Sequence, residues 1–199
     1  GLSVVLIHTQ AGLILIDGAL PQSVAAIKEH IGELGFRLED IKFILNTEAH
    51  LDHSGGIAAL ARDSGAQVVA SPLGAKALRA GRVLDEDPQA GEIDPMPAVE
   101  NVREIADGET LQLGELTVTA RHTPGHTPGS TSWTWVSCED AARTDCLNVV
   151  FGASLTPVAA DHFHYLGDER HADLTPAFRR VMQDVAKLPC DILISAHPD

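Results

Sequence analysis

The run Glu48-Ala49-His50-Leu51-Asp52-His53, followed by Ser54-Gly55-Gly56, constrains this chain more than any other stretch. Four of its six residues can bind a divalent metal, and donors packed so closely need a rigid platform to aim them. That platform is legible on either side. Ile41 to Leu45 is an apolar run of strand length, and after the glycines a helix is predicted through Ile57 and Leu60 to Ser64, with Gly65 as its stop. The donors therefore lie in a strand-to-helix loop. Glu48 and His50, two apart on extended backbone, share one side. Asp52 and His53 fall where the chain turns into a helix and can face a second ion. Zinc accepts imidazole nitrogen and carboxylate oxygen together, and a catalytic zinc keeps one position open for water.

The remaining pattern supplies an α/β frame. Leu2 to Ile7 and Leu13 to Ile16 read as a hairpin turning at Thr9-Gln10-Ala11-Gly12, and Asp17-Gly18 stops its second strand. Pro21 opens an amphipathic helix with Val24, Ile27, Ile31 and Leu34 on one face and Gly35 at its end. Strands are predicted at Gln67 to Ala70, Thr131 to Val136, Leu147 to Phe151 and Asp191 to Ser195. Leu111 to Ala120 is a second hairpin broken at Gly114-Glu115, and helices are predicted over Gly74 to Ala80 and Pro176 to Leu188. Arg82 to Pro97, rich in Asp, Glu, Pro and Gly, reads as a surface loop. Hairpins and βα units occur together, which predicts a layered α/β fold rather than a purely parallel sheet. At 199 residues the expectation is one domain over residues 1–199.

Charge narrows the partners. Fourteen Lys and Arg against 28 Asp and Glu give a formal net charge of -14. A polyanion needs a basic surface, so nucleic acid is an unsuitable partner and a nuclease reading of the metal loop is demoted. The longest apolar runs are strand-sized, too short for a membrane span.

Two more donors stand far downstream. Arg121-His122-Thr123-Pro124-Gly125-His126-Thr127-Pro128-Gly129-Ser130 holds His126 between two Pro-Gly turns, a backbone suited to aiming one side chain. His197 directly follows the strand ending at Ser195. Both lie at strand ends, where loops carry function on a rigid sheet. His122 reads as a strand-end histidine, His8, His30 and His171 as surface or strand positions, and His162 and His164 flank Phe163 in an irregular stretch. Cys138 and Cys146 bracket a polar loop; a hairpin disulfide and two unpaired thiols at strand ends both fit. Cys190 has no partner in this chain.

With these residues in place the chain resembles the metallo-β-lactamase superfamily, whose signature is His-x-His-x-Asp-His and two distant histidines. Within it, Gly125-His126-Thr127-Pro128-Gly129-Ser130-Thr131-Ser132-Trp133-Thr134-Trp135 is similar to subclass B3. So are Asp17-Gly18-Ala19-Leu20, Phe151-Gly152-Ala153-Ser154-Leu155-Thr156 and Ser195-Ala196-His197-Pro198. The resemblance spans essentially the whole chain. It implies a four-layer αβ/βα sandwich, with relatives extending further at both ends, and it favours a Cys138–Cys146 bridge and a periplasmic, monomeric enzyme. It also implies two zinc ions, the first held by Glu48, His50 and His126, the second by Asp52, His53 and His197. A bridging hydroxide would open the β-lactam ring of an antibiotic, with Asp52 orienting the nucleophile and Ser154 and Thr156 binding water or the substrate carboxylate.

Glu48 departs from the majority pattern, replacing a neutral histidine by an anion, and resembles a minority branch of the subclass. Two rival readings remain at this point. Glyoxalase II-like thioesterases, lactonases and phosphodiesterases of the same superfamily usually place an aspartate between the metals, on the strand ending here at Phe151-Gly152-Ala153-Ser154, where no acid occurs. The other rival is a metal-binding protein without turnover, motivated by the anionic Glu48.

Overall fold

The computed structural model describes residues 1–139, 142, 144–169 and 171–198. Its frame grows from three short runs that are apolar at nearly every position. Strand β2 (Gly12–Ile16) pairs antiparallel with β1 (Val5–Thr9) and parallel with β3 (Ile41–Leu45). Beyond β3 come β4 (Gln67–Ala70) and β5 (Val102–Glu104), both parallel. Continuous apolarity is what a strand covered on both faces requires. Leu13, Leu15, Ile44 and Val68 face one way, onto Ile31 of helix α1 (Val24–Glu33), Ile57 and Leu60 of α3 (Ile57–Ser64) and Leu78 of α4 (Pro72–Ala80). Ile14, Ile16, Leu45 and Val69 face the other way, onto a second sheet. Each fully buried Ile or Leu in this double core contributes about 1.5–3 kcal/mol.

The second sheet runs β6 (Thr110–Leu113), β7 (Leu116–His122), β8 (Thr131–Cys138) and β9 (Cys146–Gly152), all antiparallel, with β10 (Ile192–Ser195) parallel to β9 at its edge. Val118, Trp133 and Phe151 fill the space between the sheets. On the opposite face Arg121 shares the lining of a cleft with Ala177 and Val181 of α5 (Thr175–Val185), the outermost layer. Helix, sheet, sheet and helix give the four-layer sandwich that the resemblance implied.

Differences from the sequence reading have local causes. Helix α4 begins at Pro72 rather than Gly74, because Ser71 caps it by accepting the Gly74 amide at 3.1 Å and proline fits the first helical turn. β5 has three residues, too few to show a period in the sequence. Arg82 to Pro97 is irregular as expected, yet Val83, Leu84, Asp87 and Met96 are buried, so this loop folds inward against the first core. Cys138 and Cys146 face each other across β8 and β9 and form a disulfide with an S–S distance of 2.09 Å. Residues 140, 141 and 143 of the polar loop between them lie outside the described residues. Cys190 is exposed and free.

Candidate metal centre

The loop after β3 is fastened to both sheets. Thr131 of β8 donates its amide to the Thr47 carbonyl at 2.7 Å, and the Trp133 indole donates to the Asn46 carbonyl at 3.2 Å. From the other side, Asp17 accepts the Thr47 amide at 2.8 Å, and the Gly18 amide donates to the His53 carbonyl at 2.8 Å. Two glycines permit this approach: a Cβ on Gly56 would stand 2.2 Å from the Gly18 carbonyl oxygen. Asp17 and Ala19 both hold left-handed backbone, φ 63° and 52°, a strained conformation for residues other than glycine. The strain is retained where the chain must bring Asp17 under the metal loop.

Helix α2 (Leu51–Ser54) carries Asp52 and His53 toward the cleft. His53 is buried between two carboxylates, with Nδ1 3.2 Å from Asp17 and Nε2 2.9 Å from Glu48 Oε1. The same Nε2 is 3.1 Å from Nε2 of His197, which arrives from the end of β10. Asp52 Oδ2 lies 3.5 Å from both histidines. Donor atoms of Glu48, His53 and His197 thus all fall within 4.8 Å of one another.

His50 and His126 stand beside this group with ring centroids 5.2 Å apart. Asp87 takes Nε2 of His50 at 3.2 Å, leaving Nδ1 as the ring nitrogen without that partner. His126 donates Nδ1–H to the Thr156 carbonyl at 2.9 Å, and its Nε2 accepts the Gln89 amide at 3.2 Å. A histidine whose second nitrogen is held by a carboxylate or carbonyl is fixed in orientation and tautomer, as metal-binding histidines generally are. His50, His53 and His126 all meet that description, so the donor set suits a divalent metal.

Electrostatics agree with this packing. Burial by itself would lower the His53 imidazolium, but its hydrogen bonds to Asp17 and Glu48, and their charge, push its pKa well above the usual histidine range. Burial would raise the Glu48 carboxyl, yet the hydrogen bond and charge of His53, then His126 and Ser154, hold it below its usual value. Asp17 is raised, because complete burial outweighs the help of His53 and Thr47. The metal-free centre therefore carries a proton on His53 between two acids.

Of the two hydroxyls expected to face substrate, Ser154 turns inward: its Oγ donates to Glu48 Oε1 and its amide to Oε2 at 3.3 Å. Thr156 contributes its carbonyl to His126, and its hydroxyl is 3.5 Å from the same ring nitrogen. Asp17 as a partner of His53, and Asp87, Gln89 and Ser130, escaped the sequence reading. Asp17 had a signal, the Asp-Gly stop at the end of β2, the strand that pairs with the loop's own strand β3; Asp87 and Gln89 sit in a segment whose composition looks like ordinary loop. His122 ends β7 and bonds the Ile105 carbonyl at 3.1 Å, away from the cluster. The cleft over the centre holds about 820 Å³, with walls that include Leu20, Leu51, Ile93, Leu155, Val158 and Leu193.

The sequence model of the metallo-β-lactamase superfamily matches residues 2–197. The chain belongs to that superfamily. Among solved structures it is similar to MEM-A1, a subclass B3 metallo-β-lactamase from a soil metagenome library. The two are 50% identical with a TM-score of 0.95, and the match covers 100% of this chain and 74% of that one. It is also similar to an enzyme described as the first B3 metallo-β-lactamase with an active-site glutamic acid, at 51% identity and TM-score 0.94, over 100% of this chain and 73% of that chain. These likenesses place it in subclass B3, among hydrolases. A probable metallo-hydrolase of Burkholderia pseudomallei (strain 1710b) is 26% identical over 167 residues, 84% of this chain and 54% of that protein. The chain thus spans about half the length of the curated relatives it matches. Divalent-metal binding follows from the family, and among the described residues no helix is long and apolar enough to cross a membrane.

Proposed function

We propose that this chain is the catalytic part of a zinc β-lactamase that opens the β-lactam ring of antibiotics and so confers resistance. The observation that carries the reading is the convergence of Glu48, His53 and His197, with Asp52, His50 and His126 adjacent, beneath an apolar-walled cleft. Those six residues would hold two zinc ions. Zinc supplies a water acidic enough to attack near neutral pH and polarises the carbonyl under attack.

The chain's own residues do the rest. Asp17, Asp87 and the Thr156 carbonyl fix the rings of His53, His50 and His126. Asp52, partly open to the cleft, accepts a hydrogen bond from the attacking water and takes its proton. Water oxygen joins the carbonyl carbon, the ring C–N bond breaks, and the amide nitrogen takes up a proton. In this reading the Thr156 hydroxyl, at the wall of the cleft, receives the substrate carboxylate, while Ser154 steadies Glu48. Leu20, Ile93 and Leu193 offer apolar walls to the substituents on the lactam. The Cys138–Cys146 disulfide fits an oxidising compartment such as the periplasm, and action as a monomer completes the reading.

A hydroxyacylglutathione hydrolase of Anaeromyxobacter dehalogenans, 34% identical over 94 residues, motivates one rival, a thioesterase. Against it stands Ser154 at the end of the Phe151-Gly152-Ala153 run, where such hydrolases place an acid. Zinc-loaded protein should be assayed with a chromogenic cephalosporin, a glutathione thioester and a lactone. The expected kcat/KM for the cephalosporin is about 10⁴ M⁻¹s⁻¹ or more, within the ordinary enzyme range. Preference for the thioester, or metal binding with no turnover, overturns the proposal.

A further inference from the structure

His126 and its partner Thr156 are both held from outside the cluster by Tyr165, which belongs to no sequence motif. The Tyr165 hydroxyl lies 3.0 Å from the Gly125 carbonyl, one residue before His126, and 3.1 Å from the Val158 carbonyl, two residues after Thr156. It has one proton to share between them. The same two stretches of backbone are joined on the cluster side by the bond from His126 Nδ1 to the Thr156 carbonyl, at 2.9 Å. The Val158 amide also donates to the Thr156 carbonyl at 3.0 Å, so a shift at Val158 reaches the atom that fixes the His126 ring. Tyr165 is itself firmly seated. Its carbonyl accepts the Leu174 amide at 2.9 Å just before α5, and its ring lies 5.5 Å from that of Phe163 and 6.1 Å from that of Phe178. Phe178 stands so close to the turn that a Cβ on Gly125 would come within 1.8 Å of its ring. Midway along the segment, the Ala160 amide donates to the Pro88 carbonyl at 2.9 Å, between Asp87 and Gln89.

We propose that Tyr165 is a positioning residue for the metal centre: its hydroxyl latches residues 156–165 onto the Pro124-Gly125 turn and so fixes the His126 ring for its ion. The proposal rests on the reading that His126 binds metal, and it adds a residue that touches none of the donor atoms. Without the hydroxyl, two neighbouring carbonyl oxygens lose their shared donor, an arrangement that costs free energy and drives the two stretches of backbone apart. The Thr156 carbonyl then meets His126 Nδ1–H less squarely, and the ring loses the partner that sets its tautomer and orientation. The rings of Phe163 and Phe178 supply packing and no hydrogen bond. Substitution can therefore separate what the hydroxyl does for the site from what the aromatic group does for the fold.

The test compares Tyr165→Phe, which removes only the hydroxyl, with Phe163→Leu, which removes a ring of the same aromatic group and keeps the hydroxyl. Zinc affinity is read by competition with a chromophoric chelator, and the ligand field by visible absorption of the cobalt-loaded protein. Thermal unfolding of the metal-free protein reports stability. Tyr165→Phe should weaken the hold on one zinc ion about tenfold and shift the cobalt bands, the loss typical of a partner that orients a ligand. Its melting temperature should fall by no more than about 4 °C. Phe163→Leu should lower the melting temperature further and leave zinc affinity and the cobalt spectrum unchanged. An unaltered affinity and spectrum in Tyr165→Phe overturn the proposal. So does an equal loss of affinity in Phe163→Leu, since the hydroxyl would then be only part of the packing. If the parent protein binds both metals but turns over no cephalosporin, the proposed function falls and the same two variants still decide the role of Tyr165. A protein that takes up no metal defeats both.

Discussion

The two sheets contribute to the centre in different ways. From the first sheet come Glu48, His50, Asp52 and His53, all within six residues of a loop tied down on every side. The Glu48 and His53 side chains are 0% and 2% exposed. From the second come His126, Ser154 and His197, spaced along the chain and brought in at separate strand ends. His197 follows an edge strand whose Ile192 and Leu193 are exposed, and its own side chain is 44% exposed. Glu48, His50 and His53 are part of the core, His126 and Ser154 are buried as well, and His197 closes over the centre from the open side. Substitutions at the buried first-sheet loop should therefore damage the fold and the site together, and those at His197 the site alone.

The largest effect expected on the core side is Asp17→Ala. It leaves the His53 imidazolium buried with one partner fewer and frees the Thr47 amide. The expected loss is about 3–5 kcal/mol of unfolding free energy in urea, the cost of breaking a buried ion pair. A loss below 1 kcal/mol would mean the first-sheet loop is not part of the core at all. His197→Ala probes the other side: metal content and cephalosporin turnover should collapse, by more than the 10–100-fold typical of an outer partner, while stability stays within about 0.5 kcal/mol. A large drop in melting temperature of the metal-free variant would erase the contrast.

Asp87→Asn sharpens the comparison, since Asp87 lies outside both sheets yet orients His50. Zinc affinity or activity should fall about 10–100-fold, with the folded protein otherwise intact. The smallest effect is one of pH. The raised His53 pKa stabilises the metal-free protein fully below its unfolded value of 6.5, and that stabilisation is lost as pH rises toward the folded value. The lowered Glu48 pKa acts oppositely: its contribution is present above 4.5 and lost as pH falls. Metal must displace the His53 proton, so apparent zinc affinity should rise by up to about tenfold per pH unit around neutrality. The rise in melting temperature on adding zinc should accordingly be larger at pH 8 than at pH 6. Equal rises at both would place the proton elsewhere.

Much of this was legible because apolar period and turn residues are local signals. β3 runs from Ile41 to Leu45 as read, α3 ends at Ser64 before Gly65, and Gly114-Glu115 breaks the second hairpin. The dense donor loop announced itself by composition. Less legible were the residues that act through others. Asp87 is one acid among many in an acidic loop, and only its burial against His50 distinguishes it. Ser154 lines the cleft, but a sequence does not show which way a hydroxyl turns. Here it donates to the buried Glu48 carboxylate.

The sequence by itself determined a layered α/β frame and the identity of six candidate donors and, through resemblance, the family with its two-sheet sandwich. Residue type and short-range spacing set the frame and the candidate donors. Only the tertiary structure decided what holds the donors in place. Glu48 and His50 are two residues apart, whereas Asp17, Ser130 and Ser154 lie far from them in sequence. Their hydrogen bonds fix the His53 ring and the Glu48 carboxylate. Local spacing limits where a side chain can reach; which of the reachable positions it takes depends on the partners that packing brings to it.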